Sequence, residues 1–351
     1  MTDTRKISRR SFGRMAAGLA AGAAGAAALP GLSRTARAQG KKAVTFLLDV
    51  KPYSKHALFY AALDNGYFAK RGLDVTFNSG KGSADVAQKV AGKGAEFGFV
   101  DAGTAVLARG RGMPVKLTSM VHYQNMMTVV SLREPPLKTP KDLEGLKIAA
   151  NAGDAVRTAL GAVAKINGID YNKIEFVTVE TTNKRPLLFA GQVDACCDYA
   201  VNVPIYEAAA KKMGKHASQV LFSDFGVDVY SNGMLTRDDL LKDDPKLVKD
   251  FNDAMVEAMI FAIDNRDDAV KIFLKHNPQL DPDLTRAGLD VAIAHLVVPE
   301  VHQHGIGPMS KDKMARTIEI MKGYFDLAGN VAADDIYTNS FVTAGQKPKS
   351  V

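Results

Sequence analysis

Three aspartates follow or end apolar runs of strand length: Asp49 after 43–48, Asp101 after 96–100, and Asp198 late in 193–199. A carboxylate where a strand hands over to a helix suits a ligand that presents N–H donors or positive charge. The same residue type in the same place also caps the following helix or closes a turn. Tyr53 and His56 fall between the first run and the next helical pattern. Flat rings there can stack on or hydrogen-bond a planar heterocycle, while His56 can equally serve the helix start. Ser83 and the 151–154 loop, with Asn151 and Asp154, precede further helical patterns. Free backbone N–H groups at such points hold an oxygen or an anion, and the side chains can cap as well. For an anionic ligand the available cations are Lys55, Lys81 and Arg157. The three carboxylates tilt the balance towards a nitrogenous, planar ligand.

Other reactive residues carry less. His302 and His304 are two apart without an obvious third ligand, whereas catalytic zinc takes three protein ligands. The two cysteines, Cys196 and Cys197, are neighbours. Adjacent Cα atoms lie about 3.8 Å apart, too close for a relaxed disulfide, and alternate strand faces keep them from sharing a metal. Buried structural cysteines are expected. The chain has no G-x-S-x-G elbow, H-E-x-x-H pair or phosphate-binding G-x-x-x-x-G-K-[ST] loop. Binding without chemistry, cofactor or metal is the expectation.

The elements that must position these residues alternate. Strand-like runs at 43–48, 73–77, 96–100 and 115–120 are separated by helical stripes, including 56–68 opened by Ser54 as an N-cap, a helix capped by Ser83, and 104–109. Pro135, Pro136 and Pro140 break the chain, and the alternation restarts through 143–149, a helix from Asp154 to Gly168, 175–179 and 193–199. From about residue 238 the pattern is helical, with stripes such as Phe251, Met255, Met259 and Ala262. Two α/β units with a helical C-terminal part imply parallel-type sheets whose carboxyl edges face a shared cleft.

Charge separates a leader from the body. The 351 residues hold 45 Lys and Arg against 38 Asp and Glu, a net of +7; residues 1–38 contain seven of the former and one of the latter, leaving 38 and 37. The remaining chain is nearly neutral and shows no basic stripe, which excludes a nucleic-acid partner. Within 1–38, Ser8-Arg9-Arg10-Ser11-Phe12 is a twin-arginine signature, 15–29 is a weakly apolar run, and Ala36-Arg37-Ala38 is an A-x-A cleavage site. A twin-arginine signal peptide and a periplasmic mature protein starting near Gln39 are expected.

Further motifs run through the mature part: Leu48-Asp49, Lys51-Pro52, His56-Ala57, Gly66-Tyr67-Phe68, Gly72-Leu73-Asp74-Val75, Gly80-Lys81-Gly82-Ser83, 142–148 and 190–195. In their order they resemble the thiamine-pyrimidine-precursor branch of the periplasmic solute-binding proteins of ABC importers, grouped with the nitrate, sulfonate and taurine binders. That branch commonly has Trp where Val50 stands. The resemblance implies a bilobal periplasmic-binding-protein fold of type II, with lobe 1 at 39–129 plus 232–351 and lobe 2 at 130–231. It implies crossings near 129–131 and 229–234, monomeric action, an inner-membrane ABC permease as partner, and ligand contacts from the strand-to-helix loops, at Gly80–Ser83 among them. The ligand expected is a thiamine-type pyrimidine precursor; the alternatives are a nitrate, sulfonate or taurine ligand, or an enzyme. The enzyme is a fungal relative that builds the thiamine pyrimidine with lysine-bound pyridoxal phosphate and iron. His56 falls where that synthase has an active-site histidine, but only a cysteine pair matches its cysteine cluster, and an export signal argues against intracellular synthesis.

Overall fold

The computed structural model describes residues 40–151, 154–325 and 327–350, so the expected leader lies outside the described residues. In chain order the strands are β1 (Lys42–Leu48), β2 (Leu73–Ser79), β3 (Phe97–Asp101), β4 (Val115–Met120), β5 (Met127–Ser131), β6 (Lys147–Ala150), β7 (Glu175–Thr178), β8 (Ala195–Tyr199), β9 (Ser218–Leu221) and β10 (Asn232–Arg237). They build two five-stranded sheets, ordered β2-β1-β3-β10-β4 and β7-β6-β8-β5-β9. β2, β1 and β3 are parallel, and β10 enters antiparallel between β3 and β4. β5 likewise runs antiparallel to β8 and β9.

The chain therefore passes twice between the sheets, at 121–126 and at 222–231. The first passage precedes the expected 129–131, because β5 already belongs to the second sheet. All five of its residues are buried, so its apolar run carries no alternation that would assign it to one sheet. The second passage ends where β10 begins, within the expected 229–234.

Helices cover both sheets: α1 (Ala57–Asp64), α2 (Ser83–Ala91) and α3 (Ala102–Gly110) around the first, then α4 (Ala155–Ile166), α5 (Lys184–Phe189) and α6 (Val203–Lys212) around the second. The C-terminal part is helical, as α7 (Asp238–Asp243), α8 (Pro245–Asp264), α9 (Arg266–His276), α10 (Pro282–Leu296), α11 (Pro299–His304), α12 (Lys311–Tyr324) and α13 (Ala333–Ile336). Side-chain caps start three of these: Asp244 accepts from Leu247 N–H, Asp281 from Leu284 N–H, and Ser310 from Lys313 N–H. The stripe on α8 buries Phe251, Met255, Met259 and Ala262. Phe251 stacks on Phe97 of β3 with ring centroids 3.8 Å apart, and also meets Phe46 and Phe68. The helical tail is thus built onto the first lobe. Burying several such rings contributes both apolar area and ring–ring attraction.

Two of these helices also reach the second lobe. α10 packs on the Ser54–His56 turn and on residues 200–212, and α12 packs on both α3 and α4. Cys196 and Cys197 are free, buried, and packed into different cores on the two faces of β8.

Candidate functional site

Asp49 leaves β1 at its carboxyl edge and becomes the centre of a buried ion pair. Lys55 Nζ donates to its Oδ2 at 2.7 Å, and the Val50 N–H and His56 ring reach Oδ1 at 3.0 and 2.8 Å. The Tyr53 N–H donates to His56 Nδ1 at 3.1 Å, so the proton of the neutral ring sits on Nε2 and points at Asp49. Burial pushes the His56 pKa down and keeps the ring neutral, although its bond to Asp49 works the other way. Burial likewise works to raise the Asp49 pKa, but the Lys55 charge and the His56 bond outweigh it and hold the carboxylate well below its ordinary range. Lys55 has a second, longer bond to Asn232 Oδ1 at 3.5 Å. An ammonium has three N–H donors, so one is left over from these two bonds, and the group lies 5.2 and 5.0 Å from the Tyr53 and Phe99 rings.

The glycine loop after β2 clamps this corner. Gly80 and Gly82 donate to the carbonyls of Leu48 and Asp49 at 2.8 and 2.7 Å. A Cβ on Gly80 would meet the Leu48 carbonyl oxygen at 2.8 Å and Val86 at 2.3 Å, and Gly82 has a φ of +114°. The approach and the backbone angle both demand glycine. The cap of α2 is Gly82, not Ser83. Ser83 Oγ accepts the Asp101 N–H at 3.0 Å, while Asp101 itself caps α3 by accepting from Thr104 N–H at 3.1 Å. Burial raises the Asp101 pKa to about 6, against its bond from Thr104. Ser54 is not a cap either: Tyr53 precedes the turn, and Ser54 packs under Gly288 of α10.

On the second lobe Asp198 is saturated. Its Oδ1 accepts from Tyr199 N–H and Asn202 Nδ2, each at 2.8 Å, and its Oδ2 accepts from the Tyr206 hydroxyl at 2.6 Å and Arg185 Nε at 3.3 Å. A carboxylate has about four acceptor positions, and all are filled. Asp154 caps α4 through Val156 N–H and pairs with buried Lys184 at 3.0 Å, which also donates to the Cys197 carbonyl at 2.6 Å. Asn151 donates its amide to Thr181 Oγ1 at 2.7 Å and its N–H to Asp154.

The tyrosine of each half feels charged groups of the other. Burial, then Asp49 and Asp198, push the Tyr53 pKa well up; Asp198 and Arg185 belong to the opposite lobe. Burial, then Asp101, Asp154, Tyr53 and Asp49, do the same to Tyr199. Both phenols stay protonated donors. Tyr199, Arg185 and Asn232 were not singled out in the sequence. Tyr199 left a signal, an aromatic ending the Cys196-Cys197-Asp198 strand; Arg185 left none, since only folding sets it beside Asp198. Of the cations considered, Lys55 is at the site. Arg157 instead lies over the Phe176 ring at 4.2 Å, and Lys81 is exposed.

The family model described as NMT1/THI5 like matches residues 53–269. A riboflavin-binding protein, RibY of Chloroflexus aurantiacus, is 24% identical over 310 residues, covering 86% of each chain. A formylaminopyrimidine-binding protein of Halalkalibacterium halodurans is 22% identical over 300 residues, covering 84% of this chain and 89% of its own. A 4-amino-5-hydroxymethyl-2-methylpyrimidine phosphate synthase of Saccharomyces cerevisiae, THI13, is 24% identical over 257 residues, covering 69% and 73%. Among solved structures, the periplasmic aliphatic sulphonate binding protein SsuA of Escherichia coli superposes with a TM-score of 0.63 at 14% identity, covering 80% of this chain and 87% of that one. The chain belongs to the NMT1/THI5-like family, with the bilobal fold of the periplasmic solute-binding proteins that serve ABC importers.

Proposed function

We propose that this substrate-binding component of an ABC importer captures a flat nitrogen heterocycle, with carbonyl oxygens in the ring or on a substituent, between Tyr53 of one lobe and Tyr199 of the other. The observation that carries the reading is the saturation of Asp198. Asp198 has no acceptor left for a ligand, so its part is to hold Arg185 beside the Tyr53 phenol. Lys55, whose ammonium lies 5.2 Å from the Tyr53 ring, keeps one donor beyond its two bonds. Two cations and two phenol hydroxyls are donors for carbonyl oxygens, and the rings give a planar ligand its stacking surface. Asp101, with one oxygen outside its capping bond, takes an exocyclic amine or ring N–H. Asp49, His56, Ser83, Asn151 and Asp154 orient these groups. The riboflavin and formylaminopyrimidine of the two binding relatives both fit that description.

The same reading covers compartment and chemistry. The twin-arginine leader exports the folded chain to the periplasm, where it works as a monomer, delivers its ligand to an inner-membrane permease, and catalyses nothing. Burial pushes the Cys196 thiol up to about 12, which suits a packing role over a reactive one.

Thermal shift on chain purified without refolding tests the ligand class. A ligand at 100 times its Kd stabilises by about 2.7 kcal/mol. Stabilisation by riboflavin or an aminopyrimidine is expected. Stabilisation by nitrate, taurine or an alkyl sulfonate alone would overturn the heterocycle and leave the importer component standing.

A further inference from the structure

We infer that His122 is a ligand-reading residue at the floor of the cleft, offering a ring nitrogen to the bound heterocycle; this rests on the proposed cleft. His122 stands two residues beyond β4, at the carboxyl edge of the first sheet, in the first passage between the lobes. Its N–H donates to the Asn232 carbonyl at 2.9 Å, and its carbonyl accepts the Ser231 N–H at 3.0 Å. The backbone is therefore fixed to β10. The ring is fully buried and meets the Phe99 ring edge-on at 5.8 Å. The Lys55 ammonium and the His56 ring lie 5.0 and 5.8 Å from that same Phe99 ring. His122 is thus part of the Asp49–Lys55–His56 corner.

Neither His122 ring nitrogen has a hydrogen-bond partner among the described residues. Burial first, then the charges of Lys55 and His295, keep the ring neutral. A neutral imidazole carries one donor and one acceptor, and here the protein matches neither. Nearby on α10, His295 donates through Nδ1 to the Val291 carbonyl, which leaves Nε2 as a second unmatched acceptor. Buried polar groups without partners cost stability, so packing alone would favour Leu at position 122. The two ring nitrogens point apart, so one edge of a ligand engages one of them: an N–H of the heterocycle meets the acceptor nitrogen, or a carbonyl meets the donor.

The test compares His122→Leu and His122→Gln in the full chain, by melting temperature without ligand and by titration with riboflavin and with an aminopyrimidine. The expected result for His122→Leu is an unchanged or higher melting temperature together with at least a tenfold loss of affinity. His122→Gln, which keeps a donor and an acceptor, should recover part of that affinity. A lower melting temperature with unchanged affinity would overturn the assignment and make the ring a packing or water-bridging group. If the wild type binds neither probe, the heterocycle reading fails, and His122 is judged by native mass spectrometry of whatever co-purifies. A molecule kept by the wild type and lost from His122→Leu supports the assignment; one kept equally by both overturns it.

Discussion

Lys55 Nζ lies 2.7 Å from Asp49 Oδ2, with both side chains almost sealed from solvent. Breaking such a pair leaves an uncompensated buried charge, which costs about 3–5 kcal/mol. Asp49→Ala should therefore lower stability by an amount of that order in denaturant melts. The carboxylate's folded-state pKa is depressed, so its contribution is present above the unfolded pKa of about 3.9. It is lost as pH falls below that value towards the folded pKa. In wild type the acid loss of stability should be steeper below about pH 4 than in Asp49→Ala; superimposable pH profiles would show that the pair contributes nothing.

Asp101 has the opposite sign. Its folded pKa of about 6 lies above the unfolded value, so the folded state binds the extra proton between the two. Stability from this group is greatest at low pH and is lost as pH rises through about 6. Asp101→Asn keeps an oxygen for Thr104 N–H and removes the buried charge. At pH 7.5 it should stabilise the ligand-free protein by about 1–2 kcal/mol while weakening heterocycle binding roughly tenfold. A drop in melting temperature at pH 7.5 would count against the buried-charge account.

The alternation of apolar runs made seven of the ten strands legible but not β5, β9 or β10, and because β5 and β10 run antiparallel the sheets are mixed where parallel ones were expected. Asp49 and Asp101 stood out because strand ends are where such folds place side chains in a cleft. The partners of these acids were not legible. Lys184 and Asp154 are 30 residues apart, and Arg185 and Asp198 are 13 apart on a helix and a strand; no local spacing brings either pair together. For that reason Asp154 and Asp198 carried no visible partner in the sequence, and Asp49, only six residues from Lys55, is the third acid that the fold closes into an ion pair. β5 hid its lobe for a different reason, being buried on both faces.

Arg185 should separate affinity from stability. Its side chain is partly exposed, and without it Asp198 keeps Tyr206, Asn202 and the Tyr199 N–H. Arg185→Ala should leave the ligand-free melting temperature nearly unchanged, yet cut affinity for a carbonyl-bearing heterocycle by tenfold or more, since a hydrogen bond from a charged donor is worth about 1.5–3 kcal/mol. Equal affinity of variant and wild type in calorimetry would remove Arg185 from the site.

Export depends on the Arg9–Arg10 pair if the leader is of the twin-arginine type. Replacing both with Lys should leave precursor in the cytoplasm, read by fractionation and the mass of the chain. Normal amounts of mature protein in the periplasm would rule that route out.

Gly288 of α10 touches both lobes at once. A Cβ there would lie 2.2 Å from Ser54 Oγ and 3.1 Å from the Val201 carbonyl oxygen, well inside contact distance. Ser54 belongs to the turn that carries Lys55 and His56; Val201 follows Tyr199. The missing side chain lets one helix press the two halves of the site together, and overpacking a contact of this kind costs about 1–3 kcal/mol. Gly288→Ala should therefore open the cleft, seen as a larger radius of gyration in solution scattering with saturating riboflavin or aminopyrimidine, and weaken binding about tenfold. Ser54→Gly removes the nearest obstructing atoms, so the double variant should recover much of the compaction. If Gly288→Ala lowers stability without changing either scattering or affinity, α10 is merely packed against the lobes and does not govern their closure.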